Sequence, residues 1–256
     1  MKGGKQMRRQ DRKMRTRGIV LLLVSTLLAG IAHAEGTEDA KGWEGSLNLG
    51  ATATTGNSRA STGNASIDTK LTQPESITHL GASATYGQSE GQTTADKSNA
   101  FVQYNYLITG RFNAYLNLEW DRDRVADLVW RINAGPGLGY YLIKTPNASL
   151  ISELGVSYIR EKFEDVKFDD FYALRLAERG EWKITETAKL WEKAEYLPDV
   201  SDFKNKFLLK GEAGVEAAIT IKTSLRFLVQ DIYDSVPAVG RRRNDTTYIA
   251  SVGYKF

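Results

Sequence analysis

From Trp43 onward, apolar and polar residues alternate with a period of two, and that pattern constrains the chain more than any other feature. In FNAYLNLEWD, Phe112, Ala114, Leu116, Leu118 and Trp120 alternate with Asn113, Tyr115, Asn117, Glu119 and Asp121. Side chains of a strand point alternately to opposite faces, so a sustained two-residue period means a strand with one apolar and one polar side. The pattern recurs along the chain. Leu47, Leu49 and Ala51 open it, and Tyr248, Ala250, Val252, Tyr254 and Phe256 end it. Twelve such segments are countable, with ten or fourteen as the alternatives, and an even number suits a single-chain bacterial barrel. The predicted fold is an all-β, transmembrane, antiparallel up-and-down β-barrel over residues 43–256. Strands eight and nine are the least regular. There Glu178 and Glu192 fall on the apolar parity, which a β-bulge would correct. Pro136 interrupts the sixth strand, where it removes a ladder hydrogen bond.

The connections divide into two kinds. After even strands they are short, at 73–76, 109–110, 144–147, 184–187 and around Thr220. After odd strands most are longer and more polar: 54–61, 87–96, 122–129, 160–170, 197–203 and 232–245. Short periplasmic turns alternating with longer outer loops are expected of a membrane barrel, and place both ends of the chain in the periplasm. Trp43, Tyr86, Tyr106, Phe112, Trp120, Tyr140, Tyr158, Tyr172, Trp182, Tyr196 and Phe207 stand near strand ends. That is where aromatic girdles meet the two membrane interfaces.

Residues 1–34 read as a cleaved signal peptide. Eight basic residues face one acid, Asp11; an apolar run Ile19–Leu28 follows, and Ala32-His33-Ala34 supplies the small-x-small cleavage site. Residues 35–42 form a short extension before the barrel. The whole chain carries 34 basic and 31 acidic residues; without the leader 26 and 30 remain, a net charge of −4. The basic excess therefore belongs to the leader, and nucleic-acid binding loses its electrostatic basis. There is no cysteine, so an exported chain must hold itself without disulfides.

The polar parity collects the candidate functional residues inside the barrel. Glu119, Asp121 and Asp123 share one inward face, compatible with a cation site, an acid–base pair or, more simply, a carboxylate ladder neutralised across the lumen. Arg131, Arg175, Arg179, Lys210 and Arg226 are the inward cations; Glu153, Glu212 and Glu216 are further inward acids. So mixed a lumen implies a narrow, weakly selective pore or a self-paired interior. Arg241, Arg242 and Arg243 fall in the last outer loop, where they form a solvated charge run or, as the alternative, contact lipopolysaccharide phosphates. His79 is the one histidine beyond the leader, a thin basis for acid–base catalysis. Gly135, Gly137 and Gly139 alternate within a strand with no helix behind them, so they make no phosphate loop. No cofactor is expected.

Phe256, with Tyr248, Val252 and Tyr254 on the same face, resembles the signal read by the barrel-assembly machinery of Gram-negative bacteria. More widely, WEGSLNLGATATTGNS, YNYLITGRFNAYLNLEWDRDR, RINAGPGLGYYL and DIYDSVPAVGRRRNDTTYIASVGYKF resemble the salt-induced outer membrane protein family (YdiY-like), a domain family of unknown function. The resemblance spans roughly residues 43–256. It implies an outer-membrane barrel in contact with lipid and lipopolysaccharide, with expression tied to salt, and it supplies no catalytic residues. A structural or pore-type envelope protein is the first functional expectation. An outer-membrane hydrolase or lipid-modifying enzyme and a loop-mediated adhesion barrel are the alternatives.

Overall fold

The computed structural model describes residues 42–55, 59–164 and 168–256. The leader, its cleavage near Ala34 and all of the short extension but Gly42 lie outside the described residues.

Among the described residues twelve strands run in chain order: β1 Trp43–Thr54, β2 Ala60–Thr72, β3 Ser76–Ser89, β4 Gln92–Leu107, β5 Phe112–Asp123, β6 Leu128–Lys144, β7 Ala148–Phe163, β8 Asp169–Lys183, β9 Ala188–Pro198, β10 Phe207–Ala218, β11 Thr223–Asp234 and β12 Asn244–Lys255. Each pairs antiparallel with its chain neighbours, and β1 pairs with β12, so the sheet closes as a barrel. Closure removes the open edges that hydrocarbon would not tolerate. No helix among the described residues is long and apolar enough to cross a membrane; the strands form the wall.

The alternation sorts the side chains as expected. The apolar parity faces outward: Leu116 is 59% exposed, Leu154 54% and Tyr172 63%. The polar parity faces the lumen, where Asn48, Asn133 and Glu153 are buried. Outer aromatics run into one another near the loop end. The rings of Tyr158 and Tyr172 lie 5.3 Å apart, those of Tyr196 and Phe207 5.6 Å, and those of Phe207 and Tyr233 5.6 Å.

Three expectations need correction. The first is that residues 87–96 form a long outer loop. β3 and β4 turn through Glu90 and Gly91 alone, both with positive φ (49° and 77°), as the tightest hairpin turns require. The polar stretch 87–96 is mostly strand rather than loop, and so are much of 122–129 and 160–170. Strands of 14 to 17 residues such as β3, β4, β6 and β7 exceed the roughly 9–11 residues a tilted crossing needs. Their polar ends stand above the apolar band, still hydrogen-bonded. Longer connections remain after β9 and β11, at 199–206 and 235–243.

The second concerns Glu178 and Glu192. No bulge shifts them: register runs unbroken from Ala148↔Trp182 to Glu161↔Asp169 and from Leu176↔Tyr196 to Lys183↔Lys189. Both carboxylates face outward, toward the end bearing the short turns. There Ser152 Oγ donates to Glu178 Oε2 at 3.3 Å. The third concerns irregularities that parity alone does not locate. Register shifts occur at Gly87/Gln88, Asp121/Asp123, Leu128/Trp130 and Tyr141/Ile143. Pro136, its ring outward, pairs with Leu116 of β5, while on the β7 side the ladder passes over Gly135 and Pro136 without a change of register, the interruption expected of a residue with no N–H.

Candidate functional site: a lumen crossed by ion pairs

Inward residues of strands far apart in the ring meet in the interior. Lys210 of β10 reaches β5, donating to Glu119 Oε2 at 2.7 Å and Asp121 Oδ2 at 3.0 Å. Asn99 of β4 donates to the same two carboxylates at 3.0 and 2.8 Å. Arg131 of β6 donates through Nε to Glu161 and through Nη2 to Asp234 of β11, both at 2.6 Å. Lys97 of β4 bridges Asp123 at 3.2 Å and Asp245 of β12 at 2.5 Å. Lys210 joins β10 to two carboxylates of β5, Arg131 and Lys97 each stand between carboxylates of two other strands, and each set ties distant parts of the ring together.

Toward the turn end, Glu153 is the hub. It accepts from Arg175 Nη1 at 2.8 Å, Arg179 Nη2 at 2.5 Å and Gln103 Nε2 at 2.8 Å. Arg175 Nε also reaches Glu195 at 2.5 Å, and Glu195 lies 3.9 Å from Lys210, so the two networks join. Tyr115 lies under the Arg175 guanidinium, 5.0 Å from ring to charge. It fits because Gly137 and Gly155 leave room: a Cβ on either would collide with the Tyr115 hydroxyl. A second group surrounds Glu212, which accepts from Trp191 Nε1 and Gln230 Nε2, both at 2.8 Å, with Lys193 at 3.2 Å. Glu216 pairs with Lys255 at 2.6 Å.

The loop end is bridged as well. Arg241, in the connection between β11 and β12, makes a two-pronged pair with Asp127 in the turn between β5 and β6, at 2.5 and 2.7 Å. Those connections stand on nearly opposite sides of the ring, so the loop reaches across the mouth. The Arg241 guanidinium beside Asp127 holds its carboxyl below the usual carboxylate range.

The sequence-predicted lumen residues Glu119, Asp121, Arg131, Glu153, Arg175, Arg179, Lys210 and Glu212 all face inward, and all are bonded to a partner of opposite charge. The carboxylate ladder of Glu119, Asp121 and Asp123 is neutralised by lysine; among the described residues no acidic or histidine group is arranged to hold a metal ion. Of the three loop arginines, Arg241 is taken by Asp127, while Arg242 and Arg243 are exposed. Tyr248, Val252 and Tyr254 face outward on β12, and Phe256 exchanges two backbone bonds with Gly45 of β1 at 3.0 and 3.1 Å. His79 faces inward on β3, with Lys70 and Gln103 as cross-strand neighbours. Sequence reasoning passed over Glu161 and Asp234, which it assigned to loops, and Asn99, Gln103 and Glu195. The last three share the inward parity, and that was the available signal.

Comparison with known proteins agrees with the architecture. The NanC porin superposes with a TM-score of 0.52 at 10% identity, covering 84% of this chain and 100% of that one. The translocator domain of autotransporter NalP from Neisseria meningitidis gives 0.46 at 12% identity, over 94% and 98%. The KdgM porin in complex with disordered oligogalacturonate gives 0.43 at 11% identity, over 82% and 99%. At these identities the likeness is one of fold. No curated protein sequence matches the chain. Residues 47–256 match the model of the family described as protein of unknown function, DUF481, and the chain belongs to that family.

Proposed function

We propose that the chain is an outer-membrane protein of the Gram-negative envelope, a non-enzymatic narrow pore whose lumen its own ion pairs hold nearly shut. One observation carries the reading: Lys210 reaches across the interior from β10 to Glu119 and Asp121 of β5. A wide channel would leave facing walls too far apart for a single lysine to bridge. A fixed plug made only of apolar packing would not line the path with charge. Bridged cations and carboxylates leave a path for small ions and water whose width depends on whether the bridges are made. The fold shared with the NanC porin supports the same class. Export by the leader, assembly through the Phe256 signal, and contact of Arg242 and Arg243 with lipopolysaccharide belong to this proposal. So does a role under salt stress. Salt screens exposed pairs and leaves buried contact pairs largely intact, so rising salt loosens the exposed Arg241–Asp127 bridge over the mouth before the pairs of the lumen.

The enzyme alternative gains no support from the site. The cross-strand neighbours of His79 are a lysine and a glutamine, and neither makes a nucleophile–base pair with it.

The test is single-channel conductance in a planar bilayer at two salt concentrations. Small steps that grow with salt, and that at least double in Lys210→Ala, are expected. Silence from a folded barrel in both proteins would remove the pore and leave a structural role.

A further inference from the structure

Lys210 divides the interior. Its bond from β10 to Glu119 of β5 cuts off β6–β9 from the rest of the ring. On that side the inward residues Asn133, Ser157, Ile159 and Leu197 are buried, and the lumen is filled. On the other side the inward faces of β2 and β3 stay open. Asn64, Ser66 and Asp68 of β2 and their neighbours Thr85, Ser83 and Gly81 of β3 are all half-exposed. The open part of the lumen is therefore a track along one wall, lined by hydroxyls, amides and glycine rather than by long charged side chains.

Within this track one row of cross-strand neighbours differs from the rest: Asp68 of β2, Gly81 of β3, Phe101 of β4 and Glu119 of β5. The row spans three strand spacings, roughly 14 Å. Both of its ends are taken from the facing wall. Arg226 of β11 holds Asp68 at 3.3 Å, and Lys210 holds Glu119 at 2.7 Å. Between these two bridges the row presents no charge, only a phenyl ring. Phe101 lies over Gly81, where any Cβ would collide with it. Lys193 of β9 stands 6.0 Å from the ring centroid, with Glu212 at 3.2 Å to balance its charge. The row is thus an aperture with an aromatic floor and a frame of ion pairs, and Ser66 and Ser83 follow in the next row.

Such a frame discriminates by charge. An ion that enters leaves water for charges already paired, so each attraction comes with a repulsion and its desolvation goes uncompensated. A neutral molecule rich in hydroxyls escapes that cost. Its O–H groups exchange water for the hydroxyls, amides and carboxylates of the wall, and its C–H face lies against the electron-rich face of the ring. We infer that the aperture selects uncharged polyhydroxylated solutes of single sugar-ring size over charged solutes of the same size, with Phe101 as the residue that holds the ring. The inference deepens the pore reading above and rests on it.

The test uses the full chain folded in proteoliposomes, with trace radiolabelled glucose, glucuronate and glucosamine in a common salt, three pyranose rings that differ in charge. Ion conductance of the same preparation reports the pore separately. Glucose uptake at least five-fold faster than that of either charged sugar is expected. In Phe101→Leu the ratio of glucose to glucuronate uptake should fall at least three-fold. Tyr104→Leu, on the outward face of the same strand, should leave the ratio unchanged. Asp68→Asn, which leaves Arg226 unpaired, should raise glucuronate uptake at least three-fold. A conducting barrel that admits the three sugars alike, admits none of them, keeps its preference in Phe101→Leu or gains no glucuronate uptake in Asp68→Asn overturns the inference and leaves the pore standing. A folded barrel that passes neither ions nor sugar overturns both.

Discussion

Lys210 shows how much can hang on one side chain. It is the shared cation of Glu119 and Asp121, with Glu195 at 3.9 Å. Removing one partner of a buried ionic group leaves the others desolvated and uncompensated, which typically costs about 3–5 kcal/mol. Lys210→Met should therefore lower stability by about that much in urea unfolding from lipid. Neutralising the acids as well (Glu119→Gln, Asp121→Asn) should recover most of the loss. A single loss with no recovery would show that Lys210 matters for packing rather than charge. At the mouth, Asp127 has the opposite setting, outside the apolar band and half open to solvent. Its carboxyl is held below the ordinary value by the hydrogen bonds from Arg241. A group with a depressed folded value contributes its stabilisation above the unfolded value and loses it as pH falls through the folded one. The tether of loop 235–243 should thus persist at neutral pH and release only below about pH 4, the ordinary carboxylate range. Protease accessibility of that loop against pH is the measurement. Asp127→Asn should expose it at every pH.

At the scale of elements, most of the wall was legible. Parity holds along an unbroken ladder, and apolar surroundings penalise any slip, so the faces of β1, β8 and β10 follow from alternation alone. Glu178 and Glu192 were legible too, as misfits; inventing a bulge for them would have been an error, because the ladder is continuous there. Alternation gives a face but neither a height nor an opposite partner. That is why Glu161 and Asp234 could not be joined to Arg131 from sequence, and why polar strand ends such as 87–96 read as loop. The glycines of β6 were recognised as strand residues, but their purpose appears only with Tyr115 in place. A Cβ on Gly137 would strike both the Tyr115 hydroxyl and the Leu154 carbonyl. Gly137→Val should overpack this layer and cost about 1–3 kcal/mol by urea titration, whereas Gly63→Ala, which meets nothing, should be nearly silent.

On the scale of the whole molecule, the barrel is bridged in two ways, by pairs through its lumen and by Arg241 over its mouth. None of these ties lies in the wall itself. The wall's own closure is the short joint between β1 and β12, and that sets an order in time. Opening a ring at five rungs, the Gly45–Phe256 pair included, breaks fewer bonds than opening it at eight or more, so this is the lowest-energy excursion from the closed state. In deuterated buffer the amides of Ser46–Leu49 and Val252–Lys255 should exchange before those in the middle of β6 and β7, and a uniform rate around the ring would contradict this. The same joint is formed by the first and last strands, so it can be made only when every other pairing is in place. The molecule therefore has one place where its history as an open sheet is still readable, as the fastest hand on an isotope clock.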